Sequence, residues 1–166
     1  MFTFTTFSLW LHVTAFVVWV GGRFALAFVL LPVIWSGLES PKEAARLVAM
    51  SVERFQRISR EVIFVILLTG LFNLINAGIA RGFNFSTTYL TLLAVKVSLF
   101  LVVVVIQFWQ SLRLVPALVA VASDTESGSG APQALKRLRK QFLTTSLLSV
   151  LLAGVLIFLG LALRYR

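Results

Sequence analysis

Five side chains with chemical potential stand inside stretches that otherwise belong in hydrocarbon: His12, Arg23, Asn73, Asn76 and Lys96. Ionisable groups in membrane helices are expensive, so each marks a functional site by default. The donor inventory limits what that site can do. His12 is the only histidine, there is no cysteine, and the only methionines are Met1 and Met50. A copper pathway wants several imidazole, thiolate or thioether ligands, so one chain cannot supply a complete cage. A haem needs only one or two axial ligands, an apolar slot and cations for its propionates. His12 can supply the ligand, Phe16 and Trp19 the slot, and Lys96 the cation. On these donors haem b is favoured and copper comes second, with His12 the metal ligand in either case. A ligating imidazole also needs an acceptor for its other nitrogen, and the side-chain oxygen of Asn73 or Asn76 is suited to that. Nothing in the chain forms a nucleophile–base pair, a phosphate loop or a carboxylate dyad, so no catalytic residue is assigned.

Spacing brings these groups to shared faces. His12, Phe16, Trp19 and Arg23 recur at intervals of four, three and four, which places them within about 60° of one another on a helix. Thr69, Asn73 and Asn76 make a similar stripe, as do Tyr89, Lys96, Val103, Gln107 and Gln110. Counted at 1.5 Å per residue, His12 lies about 7 Å below Phe7 and Lys96 about 11 Å below Tyr89. Asn73 and Asn76 sit above Thr69. Three helices therefore contribute polar groups to one leaflet, and a polar pocket there is expected. Arg23, about 16 Å further along than His12, belongs to the opposite half and has the reach to snorkel towards that surface.

The elements that must position these groups follow from hydropathy. The chain is 59% apolar over 166 residues, and its apolar runs predict membrane spans at about 7–35, 60–80, 88–113 and 138–164. Each is long enough for a hydrocarbon core about 30 Å thick. Continuous rather than alternating apolar runs argue for helices, the segment type that satisfies its own backbone in lipid. The expected architecture is all-α, a polytopic four-helix membrane bundle forming a single domain. Ser40-Pro41-Lys42-Glu43 reads as a capping box with proline at the first helical position. It predicts one helix of ~35 to 40 residues, running from an extension at 41–60 into the second span. Pro116 should end the third span. Ser123–Pro132 reads as a flexible loop, and Gly21, Gly22, Gly154 and Gly160 as close-approach points between helices. The short loop near Arg81 makes spans two and three antiparallel neighbours.

The net charge of +9 is a topology signal. Ten Lys or Arg residues lie in the first and third loops (Lys42 to Arg60, and Arg113 to Lys140), against three at Arg81, Arg164 and Arg166. The positive-inside rule then puts both termini on the outer, periplasmic side and the long loops in the cytoplasm. The partner is the lipid bilayer of a plasma or thylakoid-type membrane, not nucleic acid.

Several stretches carry a family resemblance. "LHVTAFVVWVGGRFALAFVLLP", "RFQRISREVIFVILLTGLFNLI" and "LLAVKVSLFLVVVVIQFWQSLRLVPAL" resemble the first three helices of CopD-like membrane proteins. The shared landmarks are an L-H, a tryptophan before G-G, a mid-span T-G-L and a third-helix lysine. Many relatives carry a second histidine just after the G-G pair, where this chain has Arg23. The resemblance implies a four-helix unit linked with copper resistance or uptake, with His12 and Lys96 as its polar landmarks. More distantly the chain is similar to HemJ-type porphyrinogen oxidases. Three functions follow as expectations: a small haem- or metal-associated redox or handling protein without its own catalytic site, an accessory subunit of a larger respiratory or photosynthetic complex or homo-oligomer, and a HemJ-like oxidase.

Overall fold

The computed structural model describes residues 4–126 and 132–164. They form four long helices, and no strand occurs among the described residues. Helix α1 comprises Phe4–Ala25, a π-helical turn at Leu26–Leu30, and Leu31–Gly37. Helix α2 is Pro41–Ala80. Helix α3 comprises Thr87–Trp109, a second π-helical turn at Gln110–Leu114, and Val115–Glu126. Helix α4 is Pro132–Arg164. All four are long and apolar enough to cross a membrane.

The cap at the start of α2 forms as its sequence dictates. The Ser40 hydroxyl accepts from the backbone N–H of Glu43 at 3.2 Å, satisfying one of the orphan donors of the first turn. Forty uninterrupted residues follow. The end of α3 differs from expectation, because the helix runs through Pro116 to Glu126. The π turn just before it explains why. Val115 N–H reaches back five residues to the carbonyl of Gln110, and this wider turn accommodates a proline that lacks an N–H and would crowd the usual acceptor. Pro32 in α1 is accommodated in the same way, with Leu31 N–H bonded to the carbonyl of Leu26. Ser123–Glu126, expected within the flexible loop, is helical; residues 127–131 lie outside the described residues.

The bundle is built from two helical hairpins. Over the half nearest the 81–86 loop, α2 lies along α1 and α3 lies along α4. Helices α2 and α3 meet through the far end of α3, where Val115–Glu126 packs on α2. They are antiparallel neighbours as expected, but their close approach is confined to the basic pole. The predicted extension at 41–60 is not a lone helix there. Leu31–Gly37 and Val115–Glu126 also pack on α2. Between the hairpins, Trp19, Ile63, Ile66, Phe100, Val103 and Leu156 form the middle of the core. A second apolar layer around Leu26, Val48, Val52, Leu114 and Phe142 follows towards the basic pole.

Two of the four glycines expected at close approaches are found there. A Cβ on Gly22 would lie 3.0 Å from the Phe55 ring, and one on Gly160 would lie 3.4 Å from Lys96 Nζ. Gly21 and Gly154 face open space.

Candidate functional site

The polar residues divide into two groups at different levels of the bundle. The first contains His12. Its ring packs against Gly70 of α2, where an added Cβ would lie 3.1 Å from His12 Cε1. Its Nδ1 lies 3.0 Å from Thr69 Oγ1 and 3.0 Å from the Ile66 carbonyl. These partners determine the tautomer. The Thr69 hydroxyl spends its one hydrogen on the α2 backbone, at 2.6 Å from Val65 O and 3.2 Å from Ile66 O. Both groups facing Nδ1 are therefore acceptors, so Nδ1 carries the hydrogen. In the neutral ring Nε2 is then the lone-pair nitrogen, and it has no hydrogen-bond partner among the described residues.

The acceptor behind His12 is thus Thr69 with the Ile66 carbonyl. Asn73 and Asn76, expected in that role, do other things. Asn76 donates to the Phe72 carbonyl in its own helix at 3.0 Å. Asn73 has both side-chain polar atoms buried without a partner among the described residues. Such a group costs about 1–3 kcal/mol until something pairs with it. Lys96 is half-buried against Gly160 of α4, within Coulombic reach of His12. His12, Asn73 and Lys96 thus remain groups of the same half of the bundle.

Phe16 and Trp19 are the residues expected as walls of a haem slot. Trp19 is 2% exposed, with its ring 6.1 Å from that of Phe16 and 5.6 Å from that of Phe100. The space beside it is core.

The second group is centred on Arg23, which does not snorkel to a surface. It is 5% exposed and held by three hydrogen bonds: Nη1 to Gln107 Oε1 at 3.0 Å, and Nη2 to Gln110 Oε1 at 2.7 Å and Ser149 Oγ at 3.0 Å. Trp19 Nε1 donates to the same Gln107 oxygen at 2.9 Å. Gln107 and Gln56 are joined twice, through Gln107 Nε2 to Gln56 Oε1 and Gln56 Nε2 to the Gln107 carbonyl. Gln110 Nε2 reaches Thr145, Ser146 and the Phe142 carbonyl on α4. All four helices contribute. Long side chains seek water only when the protein offers no acceptors, and α3 and α4 offer several. The signal was present in the sequence as the polar stripe Gln107–Gln110, which no charge-based reading tied to Arg23.

A comparison with protein families now bears on these groups. Residues 49–163 match the family model described as copper resistance protein D. The chain belongs to that family. Its members are inner-membrane proteins, and a copper-associated membrane protein follows. The family puts copper ahead of haem, reversing the order that the donor inventory suggested. The match covers most of α2 and all of α3, with α4 up to Leu163, whereas the resemblance read from the residues lay over the first three helices. Helix α1, with His12 and Arg23, precedes the matched region. No curated protein and no solved structure matches the chain.

The donors present fit copper only in part. No group of three or more His, Cys, Asp or Glu residues capable of holding a metal occurs among the described residues. A closed cage does not fit this chain, whereas a single imidazole contact does.

Proposed function

We propose that the chain is a copper-handling membrane protein that offers one ligand, His12 Nε2, to a copper ion whose other ligands come from a second copy or a partner protein. Copper is cargo in this reading. The observation that carries it is the pair of acceptors at Nδ1, Thr69 Oγ1 and the Ile66 carbonyl. They orient the ring and leave its other nitrogen as a lone pair, the arrangement seen when a histidine ligates a metal. A site with one protein ligand suits an ion that must be both taken up and released. The distribution of Lys and Arg supports termini on the periplasmic side, so that His12 meets copper arriving from outside.

Haem b is the second reading, favoured by Lys96, whose ammonium near His12 suits a propionate better than a metal cation. It ranks lower because Trp19, its expected slot wall, belongs to the core.

The test is ¹⁵N NMR of the His12 ring in detergent-solubilised protein, titrated with Ag(I) as a redox-inert stand-in for Cu(I). Nδ1 should be the protonated nitrogen, and Ag(I) should shift the Nε2 resonance. A ring protonated on Nε2, or one indifferent to Ag(I), would rule out the ligand role. A Soret band in the purified protein that disappears in His12→Ala would move the assignment to haem.

A further inference from the structure

The Arg23 centre contains a charge without a counter-charge. Its hydrogen bonds run to two amide oxygens and a hydroxyl, and none of the chain's acidic residues, Glu39, Glu43, Glu53, Glu61, Asp124 and Glu126, lines the space around it. Buried charges in proteins are paired or coordinate an ion, because removing one from water is otherwise too costly. A guanidinium has five N–H donors, and three are used here. Nε is buried with no partner among the described residues.

Beside it lies a cavity of about 20 Å³, whose lining includes Arg23, Gln56, Gln107, Gln110, Ser146 and Phe55. That is room for a single small particle, since a water needs ≳ 10–15 Å³ by the same measure. A second free donor belongs to another residue of this lining. The Ser146 hydroxyl, 2% exposed, accepts from Gln110 Nε2 at 3.1 Å and gives its own hydrogen to no acceptor among the described residues. Gln56 and Gln107 each direct one carboxamide N–H at a protein acceptor, and Gln110 directs its carboxamide at three. The donors left over include Arg23 Nε–H, one Arg23 Nη1 N–H and Ser146 Oγ–H. A water would satisfy them but leave the positive charge uncompensated. A spherical anion satisfies both.

We propose that this cavity binds a small monovalent inorganic anion, a halide such as chloride, as the counter-ion of Arg23. The site lies about 16 Å along α1 from His12 and does not depend on the copper reading. Bound there, the anion ties α1 to α4 through a charge that the chain itself does not supply.

The test uses the full chain in mild detergent, melted at constant pH and ionic strength in chloride, bromide or gluconate salts. A ligand specific to the folded state raises Tm by mass action. Chloride and bromide should raise Tm saturably relative to gluconate. Ser146→Ala should move the half-saturating halide concentration up about tenfold, equivalent to ~1.4 kcal/mol, and Arg23→Gln should abolish the response. Should Arg23→Gln fail to fold, Ser146→Ala decides alone, and an unchanged midpoint overturns the proposal. Identical melting in the three salts, or an equal halide response in wild type and both variants, means that the cavity holds water only.

Discussion

The two polar groups of this bundle are built on opposite plans. Around Arg23, side chains from all four helices bond one another densely, and Gln107 alone holds Trp19, Arg23 and Gln56. Around His12 the groups are sparse: one imidazole tied to the α2 backbone and Thr69, an amide at Asn73 with no partner, and an ammonium at Lys96 beside a glycine. A densely bonded buried network rigidifies and specifies a fold, whereas sparsely bonded groups have more capacity left for a ligand. Under the proposed function, the difference separates a structural centre from a working one.

The largest test of this contrast is Gln107→Leu. It leaves Arg23 Nη1, the Trp19 N–H and the Gln56 side-chain oxygen without this partner, and each buried polar group left unsatisfied costs about 1–3 kcal/mol, more for a charged one. Denaturant unfolding in detergent micelles should show a loss of that order, with His12 ring resonances still dispersed. A cost below about 1 kcal/mol would mean that the network is not what holds α1 to α3.

Gly70→Ala comes next. The new methyl would meet His12 Cε1 at 3.1 Å, and overpacking of this kind costs about 1–3 kcal/mol. The ring must tilt away from Thr69, so Ag(I) binding should weaken while the Arg23 centre is undisturbed. Unaltered His12 chemical shifts in Gly70→Ala would contradict the packing described.

Thr69→Val is gentler on the fold. It removes a hydroxyl acceptor at nearly constant shape, which should cost about 1 kcal/mol of stability. Loss of an outer-shell partner typically lowers metal affinity by about 10–100-fold, so binding isotherms should respond far more than melting curves. Equal and small effects on both would place His12 in a packing role.

Asn73→Leu should have the smallest effect, and of the opposite sign. Replacing an unpartnered buried amide by an apolar group of similar volume is neutral or stabilising. A stability change near zero or slightly favourable in the apo protein is expected from thermal melts. A marked loss would show that Asn73 has a partner in the membrane, from lipid or a second chain.

Much of the architecture was legible in the residues because hydropathy and helix signals act locally. The Ser40 cap, the unbroken Pro41–Ala80 helix and the four spans depend on residues no more than a turn or a span apart. Pro116 misled because a proline alone says nothing about the backbone preceding it. The π turn at Gln110–Leu114 widens the helix where the proline would otherwise break it. Of the site, His12 and its need for an oriented ring could be read, but its acceptor could not. Asn73 and Thr69 share a stripe, and four residues, about 6 Å of rise, decide which one reaches the imidazole.

The sequence by itself determined that this is a four-helix membrane protein with one imidazole, no thiol and an excess of cations at one pole. Helical periodicity also set which residues share a face on each helix. It could not set how those faces are rotated and slid against one another. That decision belongs to the tertiary packing, with Gly22 against Phe55 and Gly70 against His12 bringing α1 onto α2. Only then does Arg23 meet Gln107, Gln110 and Ser149, partners 84, 87 and 126 residues away. A buried cation takes the nearest acceptors that packing provides, and the distances that decide this exist only between helices.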